Sequence, residues 1–239
     1  VPEKRPTLRA LGGRGVTIAV PKGRILKPLA DLLEKVGVRR EALLADDRTL
    51  MREDREAGVS FLLLKPDDVP TYVEYGAADL GVVGRDVLLE REYDLYAPVD
   101  LGIGRCRMMV AGLPDRPAPP RTLRVATKFP NIAAAHYARR GIPVEIIFVQ
   151  GSVELAPITG LADVIVDLVE SGETLRQNGL VTFETICDVS SVVVANRAAL
   201  KLKRDAIAPI LAALEPARAA TTDARTASPG TRRASRSAG

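Results

Sequence analysis

The chain has 239 residues, 46% of them hydrophobic, and 34 Lys plus Arg against 30 Asp plus Glu give a formal net charge of +4. That is enough apolar material for one large domain or two small ones, which excludes disorder throughout and a disulfide-stapled miniprotein. The basic excess belongs to the two ends, where Lys4, Arg5, Arg9 and Arg14 outnumber Glu3, and Arg218, Arg225, Arg232, Arg233 and Arg236 outnumber Asp223, so the body from Val16 to Glu215 is slightly acidic and no nucleic-acid partner is expected.

Residues 1–15 read as a flexible arm. Val16–Val20 then reads as a strand, and Ile25–Val36 as a helix with Ile25, Leu29, Leu32, Leu33 and Val36 on one face. Val59–Leu64 is strand-like, Asp67–Gly76 helical, Leu80–Val83 a strand and Val87–Arg91 a short helix. Arg107–Leu113 and Leu123–Ala126 read as strands around the turn Pro114–Pro120. A helix over Ile132–Arg140 is followed by a strand over Val144–Val149, and a helix over Val153–Thr159 by a strand over Val164–Leu168. Thr174–Asn178 is a short helix closed by Gly179. Val181–Cys187 and Val192–Ala195 are strands, and Ala198–Leu214 is the last helix. This alternation predicts mainly parallel sheets covered by helices, in two α/β lobes. Residues 216–239 hold no apolar side chain larger than Ala and read as a disordered tail.

Cys106 and Cys187 make no disulfide framework, and no Cys/His cluster has zinc-ligand spacing. Nothing approaches a membrane span or a secretory core, so a cytoplasmic enzyme or binding protein is expected.

Chemistry concentrates in the loops that follow strands. In 162–180 a strand carries Asp163 and Asp167, and a polar turn leads from Glu170 through Ser171, Gly172 and Glu173 into a helix at Thr174. Free N–H groups and hydroxyls at such a helix start suit a phosphate, and a carboxylate just before it suits ribose hydroxyls. The same residues also read as a capped helix after a strand end. Lys22 and Arg24, in Val20-Pro-Lys-Gly-Arg24, follow the first strand, where a parallel sheet binds ligands, and could meet a polyphosphate or simply solvent. No Walker or dinucleotide-binding spacing occurs. Gly84–Asp86 could form a ligand wall or only pack a helix on a strand. His136 reads as an ordinary helix residue, and the lone G-x-G in Leu101–Cys106 as a connection between lobes.

Taken together, Val20-Pro-Lys-Gly-Arg24, Gly76-Ala-Ala-Asp-Leu-Gly-Val-Val-Gly84, Phe129-Pro-Asn-Ile132, Gly151-Ser-Val-Glu-Leu-Ala-Pro157 and Ala162–Leu180 closely resemble ATP phosphoribosyltransferase in its short form, over Val16–Leu214. The resemblance implies transfer of the phosphoribosyl group of phosphoribosyl pyrophosphate to N1 of ATP, with release of pyrophosphate, as the first step of histidine biosynthesis. It also implies a two-lobed, type II periplasmic-binding-protein-like α/β fold with the active site in the inter-lobe cleft. Lobe I would comprise 16–104 plus 186–215, and lobe II 105–185. Lys22 and Arg24 would neutralise the departing pyrophosphate. Glu154, Asp163 and Asp167 would face the ribose, and Glu170, Ser171, Gly172, Glu173 and Thr174 would hold the 5-phosphate. Arg48, Lys65 and Gly84 are expected toward ATP. Mg²⁺ would be carried by substrate phosphates, with no metal site of side chains alone. The partners implied are a second catalytic chain and a regulatory subunit resembling histidyl-tRNA synthetase. A non-catalytic binding protein of the same fold and a phosphoribosyltransferase for another base are the alternatives.

Overall fold

A computed structural model describes residues 15–35, 37–115 and 122–215. The expected arm up to residue 14, Val36, most of the Pro-rich turn and the expected tail at 216–239 lie outside the described residues.

Two sheets carry the chain. The first has the order β2 (Met51–Asp54), β3 (Val59–Leu64), β1 (Val16–Pro21), β4 (Leu80–Gly84), β11 (Ser191–Ala195) and β5 (Tyr96–Asp100). Strands β3, β1 and β4 run parallel, whereas β11 is antiparallel to both β4 and β5. The second sheet has the order β10 (Val181–Val189), β6 (Cys106–Gly112), β9 (Val164–Val169), β7 (Leu123–Thr127) and β8 (Val144–Phe148). Here β8, β7 and β9 are parallel, and β6 is antiparallel to β9 and β10. Both sheets therefore repeat one pattern: three parallel strands, one reversed strand, then a strand aligned with the first three. In each case the reversed strand is the one the chain lays down on arriving from the other lobe. This is the two-lobed, type II periplasmic-binding-protein-like architecture.

The sequence accounts for these choices. Val59-Ser-Phe-Leu-Leu-Leu64 is a β-branched and apolar run that alternates buried and half-buried positions, as an inner strand with covered faces requires. In α1 (Leu26–Glu34) the buried residues Leu29, Ala30 and Leu33 form one helical stripe against that sheet. Each lobe has its own core, with Phe61, Ile18 and Ile207 in the first and Met108, Val125 and Val166 in the second.

Three expectations need correction. The last helix is two: Asn196 caps α8 (Arg197–Leu202) by accepting the Ala199 N–H, and the chain breaks at Lys203 before α9 (Arg204–Leu214). There the Lys203 ammonium donates to Gly15 O and to buried Asp79, which ties the break to the start of β1. Second, β10 stays in the second sheet to Val189, which faces Cys106, so residues 186–189 do not return to lobe I. Third, α2 (Glu41–Leu44), β2 and β5 form where no element is expected.

The C-terminal ends of β1, β3, β4, β7, β8 and β9 all face the cleft, as do the N-terminal ends of the two reversed strands. Among the described residues, polar contacts join the lobes across it. Arg24 Nη1 lies 2.5 Å from Glu170 Oε2, and Lys128 Nζ lies 2.7 Å from Asp67 Oδ2. Glu90, ending α4 (Arg85–Glu90), accepts the N–H groups of Asn131 and Ile132 at 2.9 and 3.0 Å, capping α5 (Pro130–Ala138) from the opposite lobe.

Candidate active site

Strand ends and the turns after them deliver most of the charged groups of the cleft. After β9, Gly172 takes a left-handed conformation at φ 77°, which favours glycine, and turns the chain into α7 (Glu173–Gln177). The first-turn N–H groups of such a helix have no carbonyl of their own helix to bond. Residues 168–175 wrap a cavity of about 390 Å³, whose wall is completed by Arg24, Glu154 and Asp167. Glu154 comes from the loop after β8, where Ser152 holds φ 49°, a strained backbone for a residue with a side chain.

A second cavity of about 240 Å³ adjoins the first and shares Arg24, Asp167 and Leu168 with it. Lobe I contributes Lys22, Ile25, Asp67, Gly84, Asp86 and Val87, and lobe II contributes Lys128 and Phe129. Lys22 is pinned through its backbone, whose N–H donates to Leu64 O at 2.8 Å, while its side chain is exposed.

Electrostatics in the cleft follow from burial. Burial pushes the Asp167 carboxyl above the ordinary range, and the Glu154 charge adds to this, against the Leu168 N–H and the Lys128 ammonium, which pull it down. Asp86, 9% exposed, is also raised, first by burial and further by Asp67, while backbone N–H groups of Asp86 and Val87 and the Lys128 charge oppose the shift. The Cys106 thiol is raised by burial although Arg24 Nη2 stands 3.6 Å from its sulfur.

The structure thus gathers Lys22, Arg24, Gly84, Glu154, Asp167, Glu170, Ser171, Gly172, Glu173 and Thr174 around two connected cavities. Some roles shift. The Glu170 carboxylate faces Arg24 rather than an open phosphate space, and Glu173 receives Arg176 and Gln177. Ser171 Oγ accepts the Glu173 N–H at 3.3 Å, so it shapes the turn.

Asp163 does not join the group. It precedes β9 and accepts the Arg124 N–H at 2.8 Å, at the strand end away from the cleft. Four residue steps of extended chain separate Asp163 from Asp167, about 13 Å. Arg48, exposed before β2, and Lys65, exposed after β3, line neither cavity. His136 is buried in lobe II with its Nε2 2.9 Å from Glu184 Oε1, away from the cleft cavities. Lys128 and Asp67 are cleft groups that motif reading passed over. Lys128 directly follows β7, so the strand-end rule that singles out Lys22 would also have found it.

Among the described residues no group of three or more His, Cys, Asp and Glu is placed to hold a metal ion. No helix among them is long and apolar enough to cross a membrane.

The family described as "HisG: ATP phosphoribosyltransferase" matches residues 65–216. An ATP phosphoribosyltransferase of Sorangium cellulosum is 56% identical over 199 residues, covering 83% of this chain and 94% of that protein. "ATP phosphoribosyltransferase 2" of Geobacter sulfurreducens is 50% identical over 205 residues, with 84% and 97% covered. Among solved structures, the "ATP phosphoribosyl transferase (HisG:HisZ) complex from Thermotoga maritima" superimposes with a TM-score of 0.73 at 37% identity, over 83% of this chain and 95% of that one. A structure of "Tv2483 bound to L-arginine", 15% identical with a TM-score of 0.52, shares the fold alone. By its matched family and by relatives it spans almost end to end, the chain belongs to the ATP phosphoribosyltransferase family.

Proposed function

We propose that the larger of the two adjoining cavities is the phosphoribosyl pyrophosphate site of this enzyme, with Glu170–Thr174 around the 5-phosphate and Asp167 and Glu154 toward the ribose hydroxyls. The family reaction is the transfer of a phosphoribosyl group to ATP, the first step of histidine biosynthesis. The observation that carries the placement is the left-handed Gly172 turn into α7, with Asp167 and Glu154 on the same cavity wall.

In the reaction the lone pair of adenine N1 bonds to C1 of the ribose, and the C1–O bond to pyrophosphate breaks with its electron pair. The sugar is cation-like in between, and negative charge grows on the leaving group. Lys22 and Arg24, which border the cavities, face that charge, and holding N1 against C1 removes much of the remaining barrier. Arg24 is paired with Glu170, so an arriving polyphosphate competes for a guanidinium already positioned between the lobes. Adenine N1 is unprotonated near neutral pH, so no protein base is required.

The hard oxygen donors Glu154 and Asp167 suit Mg²⁺ arriving with substrate phosphates, and the ion would supply charge neutralisation at the leaving group. The Thermotoga complex pairs its chain with HisZ, and we extend that to this chain: two catalytic chains joined to a regulatory subunit, working in the cytoplasm where ATP is made.

The placement is tested at Thr174. Thr174→Val is expected to weaken phosphoribosyl pyrophosphate binding roughly tenfold, as loss of a phosphate contact does, with ATP affinity within twofold, by calorimetry. Equal loss of both affinities, or loss of neither, contradicts the placement.

A further inference from the structure

The first turn of α5 has no cap from its own lobe. Pro130 opens the helix without an N–H, and the residue before it, Phe129, is a buried aromatic with no side-chain oxygen to accept from the turn. The N–H groups of Asn131 and Ile132 are therefore left to the opposite lobe. Glu90 takes both, one on each carboxylate oxygen, at 2.9 and 3.0 Å, and its backbone carbonyl accepts the Asn131 side-chain amide at 2.8 Å. One residue of lobe I thus holds the start of a lobe II helix by three hydrogen bonds. A Ser, Thr, Asp or Asn at position 129 would have capped α5 within lobe II.

We propose that Glu90 is a positioning residue for the transfer: by capping α5 from lobe I it sets the separation of the lobes and, through the helix start, the place of Lys128 and Phe129 on the wall of the second cavity. The proposal rests on the phosphoribosyl-transfer reading and adds a residue role to it. Lys128 and Phe129 lie between β7 and α5, and both line that cavity. Their backbone is held at one end by Thr127, whose Oγ1 accepts the Phe129 N–H at 2.8 Å and donates to Val166 O at 2.6 Å inside lobe II. At the other end it is held by Glu90, so the segment that carries Lys128 is fixed between its own lobe and the opposite one. The Lys128 ammonium then reaches both carboxylate oxygens of Asp67 in lobe I, at 2.7 and 3.1 Å. A small cavity of about 60 Å³ is bounded by Asp67, Val87, Glu90, Lys128 and Phe129, which places the cap and the ion pair side by side.

The cap exists only while the lobes are together. Where the chain crosses between them, the Arg85 N–H donates to Ser190 O, the Leu101 N–H to Ser191 O and the Ser191 N–H to Ile103 O, so the crossing segments are stitched to each other and to lobe I. Separation across the cleft is then governed by the contacts that span it. A carboxylate on two first-turn N–H groups is strengthened by its charge and by the helix dipole. Loss of a helix cap ordinarily shifts an equilibrium roughly three- to tenfold. A protein whose lobes are together for a smaller fraction of the time binds each substrate more weakly by that fraction. Substrates that span the cleft restore closure at saturation, so turnover is spared.

Glu90→Ala in the full chain is expected to raise the KM values of ATP and phosphoribosyl pyrophosphate together, roughly three- to tenfold, with kcat within about twofold. Without substrates, the same variant should show a larger radius of gyration than the unaltered protein by small-angle scattering. Glu90→Gln keeps one carbonyl acceptor for the helix start and is expected to raise both KM values less than Glu90→Ala does. A cap that served the fold of lobe II alone would lower the melting temperature and leave the scattering and both KM values unchanged. That result, a fall in kcat with both KM values unchanged, or a Gln variant more impaired than the Ala variant would overturn the role of Glu90. The scattering does not depend on the reaction. An unaltered enzyme that transfers nothing to ATP would therefore overturn the underlying reading, while the lobe separation of Glu90→Ala still decides for or against the cap.

Discussion

Lys22→Ala is expected to lower turnover by roughly 10²–10³-fold, the usual loss when a positioned cation facing a developing anion is removed. The substitution isolates this effect well. The Lys22 backbone is fixed by its N–H bond to Leu64 O, and its side chain is exposed, so truncation leaves no buried partner uncompensated. Thermal unfolding should therefore move by less than about 2 °C, within the range of surface substitutions. The loss should appear in kcat more than in substrate affinity, because charge on the leaving group is greatest in the transition state. Steady-state rates with saturating ATP and phosphoribosyl pyrophosphate check this. Near-normal turnover would remove Lys22 from the site.

Asp167→Asn should separate function from stability. Loss of a charged acceptor for ribose hydroxyls is expected to reduce kcat/KM for phosphoribosyl pyrophosphate about 10²-fold. The same substitution should make the empty protein more stable. Burial raises the Asp167 carboxyl, helped by Glu154, so the folded chain holds that proton more tightly than the unfolded one. Stability then falls as pH rises from the ordinary carboxylate value through the raised one, and the deficit persists at neutral pH. An amide carries no such penalty. The variant should thus melt higher than the unaltered protein at neutral pH, and the difference should shrink once the pH falls below the ordinary carboxylate range. Calorimetric melting at several pH values measures both limbs. A variant that melts lower at neutral pH would mean that the carboxylate stabilises the fold.

The physics of local pattern explains what the sequence revealed. Val59–Leu64 was legible residue for residue because an inner parallel strand is apolar on both faces. The edge strand β2 reads Met-Arg-Glu-Asp, and β5 carries Pro98, so neither has the pattern of a covered strand. Their existence depends on pairing with β3 and β11, which lie elsewhere in the chain. The turn at Glu170–Thr174 was legible because its residues are contiguous, whereas the Lys128–Asp67 and Arg24–Glu170 pairs join residues far apart in sequence. Asp163 misled for a related reason. It immediately precedes the strand that carries Asp167, and a strand is long enough to separate its two ends into different environments.

Asp86 shows what only coordinates reveal. Gly84 is expected toward ATP from the sequence, but only the coordinates show that the space it leaves holds a carboxylate oxygen of Asp86. The two cavities place Asp67, Asp86, Glu154, Asp167, Glu170 and Glu173 among the cations Lys22, Arg24 and Lys128. Such mixed charge fits a reaction in which anionic phosphates and a cationic ring and sugar are stabilised together.

Joining ATP to phosphoribosyl pyrophosphate in this cleft is the proposal on which the residue roles depend. The most direct measurement is pyrophosphate release by the full chain with ATP, phosphoribosyl pyrophosphate and Mg²⁺, with and without a HisZ-type partner from the same genome. One pyrophosphate is expected for each N1-phosphoribosylated ATP formed, and none when either substrate is omitted. No pyrophosphate with the partner present, or release driven by another base in place of ATP, would contradict it.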